Sequence, residues 1–233
     1  MRRLWGLLCL VWLVGTTFCF VAWSEENSPK PSFFEPGEEL VYDIRKFGLK
    51  VGEASYVFHG LTPWRGRKVF LLVFTARALN FFDEERIYFD PQTFYPLEVQ
   101  RSLNIFGRKE EITEEYRQRE GRVLVTKRVE GRVTRQTLQK TPPIENIACF
   151  IYRYRRFGSF QTGEQQRMRL PTRDVTIQVT GKKVKQGRVF YILESRPSQY
   201  AIWFRDDPRK TPQRIQGALG AIKAVMILQD KKS

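Results

Sequence analysis

The side chains that could do chemistry in this chain are few and scattered. Its single histidine, His59, stands beside Gly60 at the end of an apolar run, and one histidine cannot build a histidine-based metal cluster. Cys149 lies among Ala148, Phe150 and Ile151, a setting in which a thiol packs as a small hydrophobe rather than attacking a substrate. The carboxylates come in clusters, Asp83-Glu84-Glu85, Glu110-Glu111, Glu114-Glu115 and Asp206-Asp207, and two carboxylates can hydrolyse a glycosidic bond without a metal. Each cluster is adjacent to basic residues in a turn or a charged strand, the pattern of a solvated, salt-bridged surface. Asp206-Asp207, after Trp203-Phe204, reads as a turn. No Gly-x-Ser-x-Gly elbow, Gly-rich phosphate loop, Asp-x-Asp-x-Asp-Gly loop or cysteine pair is present. The residues therefore predict no enzyme, no metal and no cofactor.

The N-terminus says where such a protein works. Met1-Arg2-Arg3 precedes an apolar run from Leu4 to Ala22, and Ala22 and Ser24 put small residues three and one before Glu25. That is an export signal over residues 1–24; uncleaved, the run is long enough to anchor the chain in a membrane. Cys19 follows the bulky Phe18, which argues against lipidation. Either way the remainder is placed outside the cytoplasm, and the expected location is the periplasm. Cys149 is then the one cysteine left, so no disulfide framework exists.

Charge narrows the partners. The formal net charge is +15, and +13 once Arg2 and Arg3 leave with the signal, enough to attract anions. Export removes nucleic acid from reach, leaving lipid headgroups, lipopolysaccharide, anionic glycans or another envelope protein. Basic and aromatic residues concentrate in Tyr152-Arg153-Tyr154-Arg155-Arg156-Phe157, with Lys182-Lys183-Val184-Lys185 as a second group. Rings and cations together suit a membrane interface.

The elements that must position these side chains are mostly strands. Period-two alternation recurs between turns such as Gly48, Trp64-Arg65-Gly66-Arg67, Asp90-Pro91, Glu120-Gly121, Glu130-Gly131, Gln186-Gly187 and Asp207-Pro208. Charge on alternate positions of Arg122–Val129 predicts one wet sheet face and antiparallel pairing. After Pro142-Pro143, the apolar spacing of Ile144, Ile147, Ala148 and Ile151 predicts one amphipathic helix over 144–156. Residues 25–36 read as a flexible lead-in and 37–230 as a single β-rich domain. The expected fold is all-β: one large, curved antiparallel sheet or half-barrel with a covering helix.

Two stretches carry a family resemblance. Gly37-Glu38-Glu39-Leu40-Val41-Tyr42-Asp43-Ile44 with Gly48-Leu49-Lys50-Val51-Gly52-Glu53-Ala54, and Ile202-Trp203-Phe204-Arg205-Asp206-Asp207-Pro208-Arg209-Lys210-Thr211-Pro212, resemble segments of a bacterial envelope family that is itself a domain of unknown function. The resemblance implies an exported all-β domain related in architecture to periplasmic lipoprotein carriers and lipocalin-like binders, and supplies no catalytic residues. Three function classes follow: a non-enzymatic envelope protein that binds or carries an anionic amphiphile such as a lipid or lipid-linked glycan, an assembly partner of another envelope protein, and a carboxylate-based cell-wall glycan hydrolase. For the first, the expected ligand-binding residues are Arg153, Arg155 and Arg156 at the rim of an apolar concavity, with Tyr152 and Trp203.

N-terminal sequencing of the protein recovered from the periplasmic fraction is expected to begin near Glu25. Recovery of residues 1–20 in that sequence would mean a tethered chain instead.

Overall fold

The computed structural model describes residues 34–219 and 222–230; the expected signal segment and residues 25–33 of the lead-in lie outside the described residues. The first eight strands form a continuous meander: β1 (Glu38–Lys46), β2 (Leu49–Trp64), β3 (Arg67–Ala78), β4 (Phe81–Phe89), β5 (Pro96–Ile105), β6 (Arg108–Arg117), β7 (Arg122–Val129) and β8 (Arg132–Gln139). A helix, α1 (Ile147–Phe157), follows. Six further strands complete the chain: β9 (Gln165–Leu170), β10 (Arg173–Lys185), β11 (Arg188–Arg196), β12 (Ala201–Arg205), β13 (Pro212–Leu219) and β14 (Ile222–Leu228). Five of the hairpins turn on two residues of positive φ, each a non-glycine followed by glycine: Phe47-Gly48, Arg65-Gly66, Phe106-Gly107, Glu130-Gly131 and Gln186-Gly187. That is the turn whose twist matches the strands it joins.

All fourteen strands belong to one antiparallel sheet in the order β8-β7-β6-β5-β4-β3-β2-β1-β14-β13-β12-β11-β10-β9. The two meanders join where β1 meets β14, from Tyr42 opposite Leu228 to Arg45 opposite Val225. The sheet is open, with β8 and β9 as its edges, and its curvature follows from hydrogen bonds across it. The Ile144 amide donates to Gln118 Oε1 and its carbonyl accepts from Gln118 Nε2, just beyond β6. The neighbouring Glu145 amide donates to the Arg169 carbonyl on β9. In the strand order β6 and β9 lie eleven spacings apart, which in a flat sheet would be roughly 50 Å. Only a strongly curved sheet lets adjacent residues reach both.

The same bonds explain why α1 begins at Ile147 and not at Ile144. Ile144 and Glu145 are committed to bonds with Gln118 and Arg169, and Asn146 then caps the helix by accepting from the Ala148 and Cys149 amides at 2.8 and 3.4 Å. Inside the trough, Tyr152 packs edge-on against Phe34 and stacks near Phe58, with ring centroids 5.1 and 5.8 Å away. Tyr154 meets Phe160 and Phe204 at 4.8 and 5.8 Å. Phe34 belongs to the stretch read as a flexible lead-in, yet it is buried and packs on Phe58, Phe94 and Tyr152. That end of the lead-in is part of the core.

Because the sheet wraps it, α1 buries more than one stripe, and the expectation of Arg155 at the rim of an apolar concavity is corrected. Arg155 is buried completely. Its Nη1 and Nη2 donate to the two Glu38 carboxylate oxygens, both at 2.7 Å, and Nε donates to the Arg209 carbonyl at 3.1 Å. Burial works against the Arg155 charge, but the Glu38 carboxylate outweighs it and the pKa is raised. The guanidinium also lies over the Phe34 and Tyr152 rings, 5.3 and 5.0 Å from their centroids. Arg155 stands on the apolar stripe, four residues after Ile151 and seven after Ala148, and a cation can point inward there because a carboxylate at the start of the central strand meets it.

Replacing Arg155 by Met or Glu38 by Gln alone should lower stability by about 3–5 kcal/mol, since each strands a buried charge. The double variant should recover much of that loss in urea unfolding. Strictly additive losses would mean that the two side chains act independently.

Candidate functional site

The concave face is not wholly apolar. On β4, Asp83 and Glu85 share the inward parity of Ile87 and Phe89, while Glu84 points the other way. Arg101 sits directly opposite Glu85 on β5, and Glu114 and Tyr116 follow on the same face of β6. Arg101 forks onto Asp83, with Nε to Oδ1 at 2.8 Å and Nη2 to Oδ2 at 2.5 Å. Its Nε also lies 3.3 Å from Glu85 Oε1. Tyr116 donates its hydroxyl to Glu114. Three carboxyls and one guanidinium therefore line a stretch of sheet facing the start of α1.

Two cavities flank this cluster. One, of about 170 Å³, runs between Glu85 and Arg101 and the apolar walls Tyr56, Phe74, Ile215 and Met226. The other, of about 200 Å³, lies between Glu85, Glu114 and Asn146 and the β9–β10 turn. Both are bounded by Ile147 and Tyr200. Tyr200 is positioned by the buried Ser195, whose Oγ accepts from the Gln199 and Tyr200 amides, both at 2.9 Å, and donates to the Pro197 carbonyl at 2.7 Å. Its ring rests on Gly217, where any added Cβ would come within 2.9 Å of it. On its other side Tyr200 borders an outer cleft of about 530 Å³ at the end of the sheet, with Arg45, Lys46 and Phe47 on its wall. The cleft and the first cavity share Tyr200, Gly217 and Ala224.

Burial pushes the Glu85 carboxyl up to about 7, with Arg101 opposing and Asp83 and Glu114 adding to the rise. Glu85 can thus present either an acceptor or a hydroxyl donor near neutral pH. Both oxygens of Asp83 are held by Arg101.

The residues singled out in the sequence are not brought together. Tyr152 is buried between aromatic rings, and Arg155 is in the core. Arg153 is half-buried, bonded to Glu145 and lying against Tyr95 and Phe150, and Arg156 is exposed beside Phe157. Trp203 alternates with the buried Ile202 and Phe204, so it faces the convex side, where Lys183 and Arg214 each lie 5.2 Å from its ring. His59 is exposed at an irregularity of β2. Cys149 is buried and free, and burial pushes its thiol well up, away from the thiolate a nucleophile needs. Asp206 and Asp207 form a turn, bonded to Lys210 Nζ and the Thr211 amide. Among the described residues no group of three or more His, Cys, Asp or Glu could hold a metal ion. The cluster on β4–β6 was read as surface; the sign of its inward placement was the shared parity of Asp83, Glu85, Ile87 and Phe89.

Glu85 should make stability depend on pH with a definite sign. Its carboxyl ionises near 4.5 when unconstrained and about 7 in the fold. Its contribution is therefore fully present below about pH 4.5 and is lost as the pH rises through 7. Relative to Glu85→Gln, the parent is expected to lose on the order of 2–3 kcal/mol across that window. Urea unfolding of both proteins at a series of pH values checks this; parallel curves would place Glu85 in a solvated setting.

Neither the curated proteins nor the solved structures contain a match to this chain. The family model described as "Protein of unknown function (DUF3108)" matches residues 41–226, which run from β1 into β14 and take in every element of the cluster and its cavities. The chain belongs to that family.

Proposed function

We propose that the domain is a non-enzymatic binding protein of the cell envelope that takes an amphipathic, anionic molecule, such as a lipid or lipid-linked glycan, at the sheet end beside Tyr200. The observation that carries this reading is the adjacency, across Tyr200 and Gly217, of an outer cleft with Arg45 and Lys46 against one carboxylate, Glu194, and an inner cavity with one apolar wall, Tyr56, Phe74, Ile215 and Met226. The charges set the direction of the ligand. Its anionic group belongs at Arg45 and Lys46, because the inner end has three carboxyls against one guanidinium. Its apolar part lies along Tyr56, Phe74, Ile215 and Met226. The inner cavity, at about 170 Å³, is smaller than the roughly 300–1,000 Å³ of a site that encloses a drug-sized molecule. It takes the end of a chain or ring, with the remainder in the cleft. A neutral Glu85 supplies a hydrogen-bond donor to a carbonyl or hydroxyl that reaches it.

The export reading and the net charge, +13 once Arg2 and Arg3 leave with the signal, support an anionic envelope molecule as the ligand class. An anionic aromatic amphiphile, anilinonaphthalene sulfonate, serves as probe. Its fluorescence should rise on binding the parent, and the double reversal Arg45→Glu with Lys46→Glu should weaken that binding about tenfold, with a steeper salt dependence in the parent. Tyr200→Ala, which opens the wall between cleft and cavity, should strengthen it. Unchanged affinity in both variants would remove the cleft as the binding site, and a protein recovered in stoichiometric amount with the native chain would favour the assembly role.

A further inference from the structure

Four hairpins of the first meander turn at one end of the sheet, Phe47-Gly48, Leu79-Asn80, Phe106-Gly107 and Glu130-Gly131, and the first three carry an apolar residue at the tip. The second and third are side by side, since the Phe106 amide donates to the Asn80 carbonyl at 2.8 Å. The first projects further, because β3 begins to pair with β2 only at Gly52 opposite Ala78, three residues into the strand. The offset is about 10 Å. The apolar residues on these tips have no packing role. Phe47, Leu79 and Phe106 are 95%, 87% and 81% exposed.

Two of them are also in an unfavourable backbone conformation. Phe47 and Phe106 have φ of 52° and 51°, a region in which a bulky side chain is an outlier and for which asparagine, aspartate or glycine is the usual choice in this turn. Exposure and strain together mean that folding gains nothing from either phenylalanine. Around the tips stand Lys46, Arg77 and Lys109, all exposed, and Arg108, exposed and paired with Glu110 at 3.4 Å. Lys50 is there as well, shared between Asp43 and Glu53.

We propose that this end of the sheet docks on a bilayer rich in anionic headgroups, with Phe47, Leu79 and Phe106 entering the interface while the neighbouring lysines and arginines meet phosphate. Separate apolar prongs at different heights suit a fluid surface, whereas a stable protein interface needs roughly 800 Å² of continuous complementary area on each partner. Rings at headgroup depth and adjacent cations are the chemistry of that boundary. The proposal does not depend on the cleft holding a ligand, although docking would put the mouth of the cleft, which Phe47 borders, at the membrane.

The chain as isolated from the envelope is tested by co-sedimentation with vesicles of phosphatidylglycerol in phosphatidylcholine and of phosphatidylcholine alone. The variant combines Phe47→Asn, Leu79→Ser and Phe106→Asn. Its affinity for the anionic vesicles should fall about tenfold or more, while its urea midpoint stays the same or rises, since asparagine tolerates the left-handed backbone. Independently, Phe47→Trp in the otherwise native chain should show fluorescence quenched by brominated lipid. Equal vesicle affinity in parent and variant, no parental binding at low salt, or an unquenched tryptophan would overturn the proposal, and the tips would then be protein-facing. Probe binding in the cleft is a separate readout, so either reading can fail alone.

Discussion

The buried pair between Arg155 and Glu38 is the interaction on which the rest of the architecture depends. Glu38 opens the strand at the centre of the sheet, and Arg155 lies on the helix inserted between the two meanders. The third donor of the guanidinium reaches the Arg209 carbonyl in the β12–β13 loop. One side chain thus links the first meander, the helix and the second meander. A charge taken out of water requires good geometry on all its donors, and this requirement fixes the rotation of α1 in the trough far more sharply than apolar packing would. The aromatic residues around it, Phe34, Tyr152 and Phe58, fill the space that the fixed rotation leaves.

Curvature follows from the same arrangement. A sheet of this width has to bend, and here its inner face closes on a helix carrying buried side chains on most of its circumference. The enclosed space is not filled evenly. Below Tyr152 and Tyr154 it is packed with rings; near the N-terminus of α1, where Ile147 and Ala148 are the facing residues, the sheet carries Asp83, Glu85, Arg101 and Glu114 and cavities remain. Ala148, with its single methyl opposite charged strand residues, leaves room that a large side chain would not. The most polar part of the interior is therefore also its least filled part.

Basic charge is organised differently. Arg155 is spent inside the fold, and Arg101 is held by Asp83. The cations that remain at the sheet end, beside the hairpin tips and the outer cleft, are the ones positioned to meet an external anion. Interior carboxyls and a basic rim give the domain an electrostatic direction, from a sheet end that carries cations to an interior that carries carboxyls.

The β-rich class, the turns and almost every strand were legible in the sequence, because alternation and turn-forming residues act over a few positions. Arg122–Val129 is a strand with the bounds its pattern implied, and the first hairpin turns at Phe47-Gly48, where Gly48 breaks the alternation. The helix was legible as an element, but its first residues were not, since Ile144 and Glu145 are drawn into bonds with Gln118 and Arg169 that lie far away in the chain. The site was largely illegible. Spacing put Arg155 on the apolar face of α1, four residues after Ile151, but nothing local named the carboxylate 117 residues away that lets a cation be buried there. The acidic pairs were read as surface because local sequence shows which residues alternate, not which face of a sheet will be covered. Strand identity is set by neighbours in the chain; burial of a charge and the shape of a cavity are set by partners that only the closed tertiary structure brings within reach.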